Sequence, residues 1–502
     1  MNPVAAHAFA PDISFDGGDL DCGGGLLLLI RRHIDPMPRG GLLEIRSRER
    51  SVEVDLPAWC RLTGNQLVSW TKQGINCSFL VCKGSLGERG PVQKASLAVA
   101  VKHPKVPVVI PDRLPDAGPA PPIPSLSVMG LGSWPRPRWM RQALHEHLEG
   151  RLGEAEFQAT ANDAVRLAVE AQLRAGVDVL TDGEQRRDSY ASFVGGILDN
   201  CQLIPLTDLL AMVDDPDKFE QELRALDVPA EEVRHPVVFG PLGRRKPLAV
   251  HELEFVRKFS AQPVKVALPG PYLLTRTMWL DCLKEAPYPT REALASDIVR
   301  VLREELHFLL AAGAAIVQFD EPVLTEVVFS GATKQRSFMC GALSEKKAPA
   351  HELSFATELL NRVIAGTPRD RTALHICRGN WTRDESAVLK GDYLPLLDLL
   401  EKVQVGTLFL EMCTPRAGEM ALLKGLPEDK RIGVGVVNQK LEQVESVKEI
   451  VDEAQEAIRL FGRDRVLLTP DCGFATFADN PVSSADIAEA KLRRIFEARA
   501  EL

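Results

Sequence analysis

The sequence predicts an α/β protein: a (β/α)8 TIM barrel over residues 127–502, preceded by a small α/β sandwich domain over residues 14–75. Three observations carry this. Eight short apolar runs alternate with helix-period segments from residue 127 onward, a proline-rich stretch sets residues 14–75 apart, and polar residues close most of the apolar runs. At 502 residues the chain also exceeds what one ordinary core supports.

In residues 14–75, L-L-L-L-I-R-R-H-I reads as a helix and G-L-L-E-I-R-S as a strand. D-L-P-A-W-C-R-L-T-G-N-Q-L-V-S-W reads as a second helix, starting near Asp55 or Pro57. Residues 76–126 read as a linker: 76–103 give no clear period, and 104–126 repeat proline too often for a helix, favouring an extended, semi-rigid spacer.

The strand candidates of the barrel are 128–134, 177–182, 264–270, 314–320, 371–377, 406–411, 431–437 and 466–472. Helical periods fill 155–175, 290–312, 349–366, 447–461 and 484–499. The largest insertion, roughly 190–260, carries a charged helical stretch around D-D-P-D-K-F-E-Q-E-L-R. A doubly wound sheet is the competing layout, but no G-x-G-x-x-G follows the first strand.

Barrel active sites lie at the C-terminal ends of strands, and the notable polar residues fall there. Ser133 stands in L-G-S-W-P, Asp182 and Glu184 in T-D-G-E-Q-R-R, Asp320 and Glu321 in Q-F-D-E-P. Asp182 could equally cap a helix. His375 and Cys377, two residues apart, leave one face of a strand, while Glu411 and Cys472 close later runs. One imidazole, two thiols and a carboxylate suit tetrahedral zinc, which keeps a bound thiol ionised at neutral pH. Buried cysteine is common as core filler, so the argument rests on the four together.

These motifs resemble the C-terminal catalytic barrel of cobalamin-independent methionine synthase. They are G-S-W-P-R (132–136), D-G-E-Q-R-R-D (182–188), L-P-G-P-Y-L-L (268–274), F-D-E-P-V-L (319–324), H-I-C (375–377), F-L-E (409–411) and P-D-C-G (470–473). The resemblance implies zinc on His375, Cys377, Glu411 and Cys472, and methylation of homocysteine sulfur from a folate. It implies that Ser133, Glu184 and Asp320 hold the amino-acid part of the thiol substrate. The family enzyme's second, N-terminal barrel has no counterpart among these motifs, so the chain is expected to resemble the family's single-barrel relatives. It also reads G-V-V-N-Q-K where the family has G-V-Y-D-I-H, so Lys440 takes the place of a proton-donating His and Asn438 that of an Asp. Lysine has a far higher ordinary pKa than histidine, which leaves the methyl donor open. Zinc alkyltransferases that open epoxides with a thiol share this barrel.

The N-terminal segment resembles TusA-type sulfur carriers, in which a Cys at the start of the first helix carries a persulfide. G-D-L-D-C-G-G-G-L-L-L-L puts Cys22 there, with glycines replacing the carriers' two prolines. A helix N-terminus favours the thiolate, and a cysteine desulfurase would be the sulfur donor. The rival reading is a sulfur relay with the barrel as a docking scaffold; a metal-free decarboxylase of similar fold is disfavoured by Cys377 and Cys472.

A net charge of −9 and a pI near 5.7 argue against nucleic acid as the main partner. No apolar run approaches the roughly 20 residues needed to span a bilayer. The first residues lack the basic and apolar parts of a signal peptide, and ten scattered cysteines suit a reduced cytoplasm. The expectation is a cytoplasmic enzyme taking a small thiol and a methyl or alkyl donor; its oligomeric state is left open.

Overall fold

A computed structural model of the chain describes residues 2–89, 106–205, 208, 234–279, 287–329, 347–380, 383, 389–475 and 482–502. The chain divides into two compact units: Met1–Val106 with two short later segments, and the remainder from Pro107.

The first unit holds four strands, β1 (Ile13–Gly18), β2 (Leu42–Ser47), β3 (Gln66–Gln73) and β4 (Asn76–Cys82), in the order β1-β2-β4-β3. β1 and β2 run parallel, and the other pairs are antiparallel. Strand alternation sends Leu43, Ile45, Phe79 and Val81 to one face, where they pack with Ile30, Leu56 and Trp59 of helices Leu27–Ile34 and Val52–Leu62. This two-layer unit departs from the sequence expectation in two ways. The second helix stops at Leu62, and Gly64 at φ +68 turns the chain so that Q-L-V-S-W becomes β3. The sheet also runs past residue 75, because 76–82 pair as β4 along both β2 and β3.

In the second unit β5 (Asp199–Pro205) and β6 (Arg234–Gly243) form a two-stranded sheet. Six parallel strands follow: β7 (Lys265–Pro269), β8 (Ile316–Asp320), β9 (Thr372–Ile376), β10 (Thr407–Leu410), β11 (Arg431–Val437) and β12 (Val466–Pro470), neighbours in chain order. Their residues are buried almost throughout, as a parallel sheet covered by helices requires. The longest helices lie at Glu154–Ala175, Arg291–Ala311, Pro349–Ile364, Val447–Phe461 and Ala485–Arg499. The first two expected strands appear only as single parallel bridges, Val128↔Leu468, Met129↔Val179 and Leu180↔Val264, which link β12 to β7. Met129, Val179, Ile316, Ala373, Phe409 and Leu467 form one apolar cluster from these segments. The charged stretch expected near D-D-P-D-K-F-E lies outside the described residues.

The proline-rich segment is no free spacer where it is described. From Pro107 it belongs to the second unit, where Gly118 N donates to Leu310 O at 3.0 Å and Arg371 Nη1 donates to Gly118 O at 2.5 Å. Ile123 packs on the apolar cluster, and Arg431 donates to Pro124 O at 2.9 Å. A polyproline-like strand has unpaired carbonyls, and arginines take them.

Candidate metal centre and active-site cavity

His375 ends β9 facing inward, two residues beyond Ala373 of the apolar cluster, and Cys377 follows on the same side. Cys472 comes from the turn after β12. The ligand atoms of His375, Cys377 and Cys472 all lie within 4.8 Å of one another, and the two sulfurs are 3.8 Å apart. Sulfurs about 2.3 Å from one tetrahedral zinc stand about 3.8 Å apart, so the spacing matches. His375 Nδ1 lies 3.2 Å from Phe409 O, the geometry of a ring N–H donating to that carbonyl. Nε2 is then left as the lone-pair nitrogen, buried and with no hydrogen-bond partner among the described residues. The Cys472 thiol donates to Cys377, which holds Cys377 well below the ordinary thiol value and, with burial, pushes Cys472 well above it. The donor set and its one orphaned nitrogen fit zinc.

Glu411 does not join this cluster. Its Oε2 accepts from Asn380 Nδ2 at 2.6 Å and Arg378 N at 2.9 Å, and its Oε1 from Arg416 at 2.6 Å. Burial, then the neighbouring Asp471, pushes its carboxyl up to about 7. The expected four-residue set is thus present as three converging donors and a carboxylate turned to an arginine.

Ser133, Glu184 and Asp320 line one cavity with His375, Cys377 and Cys472. Ser133 Oγ accepts from Ala475 N at 3.2 Å, so it ties the first strand end to the Cys472 turn. Glu184 adopts φ +55, a left-handed conformation costly for a side-chain-bearing residue. Asp182 supports it, accepting from Glu184 N at 2.9 Å within a turn; no helix starts there, so the helix-cap alternative does not hold. A Cβ on Gly132 would meet Glu184 Oε1 at 2.2 Å, so glycine there clears the carboxylate's path. Glu184 Oε2 is buried with no hydrogen-bond partner among the described residues. Burial raises Glu184 to about 7 and Asp320 to about 6. Two desolvated carboxylates facing one cavity form a receptor for a cation.

Glu321, adjacent to Asp320, points elsewhere. Its two oxygens accept Tyr272 N at 2.8 Å and Leu273 N at 2.9 Å, capping the helix Pro271–Met278. Lys440 is buried; burial and then Arg416 bring its amine down to about 8, against Glu411, Asp471 and Cys472. Asn438 Oδ1 accepts Lys440 N at 3.0 Å and so shapes the turn. Gln318, Asn380 and Tyr190 also line the cavity, and none was singled out from sequence. A glutamine two residues before Asp320 in an otherwise apolar strand is the signal that could have revealed the first.

In the first unit, Cys22 opposes the sulfur-carrier expectation. The helix proper starts only at Leu27, after a stretch broken by Gly25 at φ +111, and Cys22 is packed in the apolar core. Burial, then Asp55, Asp21 and Asp208, push its thiol up to about 12. Burial is the larger cause, and the carboxylates add to it.

The model of the cobalamin-independent synthase catalytic domain matches residues 126–210 and 224–490. The chain belongs to this family. Methionine synthase of Saccharolobus solfataricus is 26% identical over 352 residues, covering 70% of this chain and 89% of that protein. The Sulfolobus acidocaldarius methionine synthase is 26% identical over 344 residues, 68% and 84% of the two chains. Among solved structures, a B12-independent methionine synthase from a Shewanella species, in complex with selenomethionine, aligns with a TM-score of 0.55 at 24% identity. It covers 75% of this chain and 97% of that one, and supports the fold of the second unit.

Proposed function

We propose that this family member transfers a methyl group to the sulfur of a homocysteine-class thiol, with zinc on His375, Cys377 and Cys472 and the eight strand positions closed into a barrel. The observation that carries the reading is the convergence of those three donors on the cavity that Glu184 and Asp320 line. Zinc, when bound, would keep the attacking sulfur ionised at neutral pH. Three protein donors leave a fourth position for the substrate thiol, and Glu411 stands beside them as an anchored carboxylate. Glu184 and Asp320 take the substrate's ammonium group, which places its sulfur over the donor set. Ser133 fixes the wall between the two. Lys440 Nζ supplies a proton to the leaving atom of the methyl donor, a role its lowered pKa suits.

The relatives' name, methionine synthase, supports homocysteine as acceptor. For the first unit, the environment of Cys22 favours a role in assembly over persulfide transfer. The test is metal analysis of purified protein followed by methyl transfer to L-homocysteine from methyl-folate, with epoxides as alternative carbon donors. One zinc per chain and methionine formation is the expected result. Protein without zinc, or alkylation from epoxides alone, would overturn the reading.

A further inference from the structure

Lys265 opens β7 at a position that is 1% exposed, inside a sheet packed largely with apolar side chains. Its amine meets two groups: Gln318 Oε1 at 2.7 Å and the face of Phe409, 4.3 Å from the ring centre. Burial lowers this amine to about 7, with Asp320 and Glu184 acting against that, and the amide atom it meets is the oxygen, because the other end of Gln318 faces two acceptors. At that end Nε2 donates to Leu131 O at 2.9 Å and to Asp320 Oδ1 at 2.7 Å. With the amide flipped, its oxygen would confront a carbonyl and a carboxylate, acceptor against acceptor. Asp320 Oδ1 is thereby committed, and no described residue donates to Oδ2, on a side chain that lines the cavity.

We infer that Lys265 is a positioning residue for recognition of the substrate's ammonium group, acting through Gln318 to lock the carboxylate of Asp320. The inference rests on the proposed reading of the cavity as an amino-acid-thiol site. It separates the two halves of the substrate: Lys265 governs the grip on the amino group and has no part in holding the sulfur. The Phe409 face contributes by holding the amine where Gln318 can reach it.

The test compares L-homocysteine with 4-mercaptobutanoate, which lacks only the amino group, by calorimetry on the zinc-loaded full chain. Lys265→Met should weaken L-homocysteine about tenfold, the change expected from one charge-assisted hydrogen bond, and leave 4-mercaptobutanoate and zinc content unchanged. Gln318→Leu should do the same, and the double variant should be no weaker than Gln318→Leu alone, because the two act in series. The ratio of the two ligands within one variant is insensitive to any loss of folded protein. Equal weakening of both ligands, no weakening, or additive losses in the double variant would overturn the inference alone. Failure of the wild type to bind L-homocysteine would overturn the reading of the site and the inference with it.

Discussion

Gly270→Ala is a one-methyl change that the backbone permits and a neighbouring side chain forbids. Gly270 has φ −70 and ψ 155, ordinary for alanine, so no strain arises from the dihedrals. A Cβ there would meet Glu321 Oε1 at 2.1 Å, Cδ at 2.2 Å and Cγ at 2.4 Å. The carboxyl must leave, and with it go the two hydrogen bonds that cap the helix Pro271–Met278. Forcing a methyl into a filled site costs about 1–3 kcal/mol. Each cap bond adds about 1 kcal/mol, giving a loss of about 3–5 kcal/mol. Urea unfolding of the metal-free protein, followed by fluorescence, measures it. The same change made in Glu321→Ala should cost less than about 1 kcal/mol, the ordinary penalty for alanine at a helix N-cap, because nothing remains to collide with. A double variant that shows the full additive loss would refute this account.

Three further outcomes follow from the same structure. His235 is buried with Nε2 2.6 Å from Thr277 O, and burial lowers it from 6.5 to about 4. A depressed folded value means its contribution is whole above pH 6.5 and is lost as pH falls toward 4. At about 1.4 kcal/mol per pKa unit this is about 3 kcal/mol, so the stability gap between wild type and His235→Gln should shift by about that much between pH 7.5 and 4. Cys22, pushed up to about 12, should react with iodoacetamide at pH 8 roughly a thousandfold more slowly than free cysteine, read by peptide mass spectrometry; fast labelling would reinstate the sulfur relay. Glu411→Gln should retain close to one zinc per chain by elemental analysis, whereas Cys472→Ser should lose it, and loss in both would return Glu411 to the ligand set.

The larger unit was legible because its elements obey single periods. The segments 155–175, 290–312 and 447–461 correspond to helices Glu154–Ala175, Arg291–Ala311 and Val447–Phe461, and the later strand candidates to β7 through β12. Residues 128–134 were harder, because that segment contributes only isolated bridges and its Gly132 serves Glu184 rather than a ladder. At the site, strand alternation placed His375 and Cys377 on one side, while the direction of Glu411 depended on Arg416, which no period reveals. Asp320 and Glu321 look equivalent in F-D-E-P, yet consecutive residues part company: one lines the cavity, the other caps a helix. Lys265 drew no attention inside the strand candidate 264–270; its role comes from Gln318 and Phe409, distant in sequence. In the first unit Gly64 was the missed signal, and the burial of Cys22, with three aspartates around it, runs against an argument that considered only the helix end.

The segment from Pro107 to Pro124 bears on how this protein can be taken apart. A fragment begun at residue 127, where the strand pattern starts, would strip Ile123 from the apolar cluster and leave Arg371 and Arg431 without the carbonyls of Gly118 and Pro124. Such a fragment would arrive with an uncovered apolar end and two guanidinium groups each short of a partner, and its poor behaviour would be misread as dependence on the N-terminal unit. A fragment begun at residue 107 carries its own cover, and only that one asks whether the catalytic half stands alone.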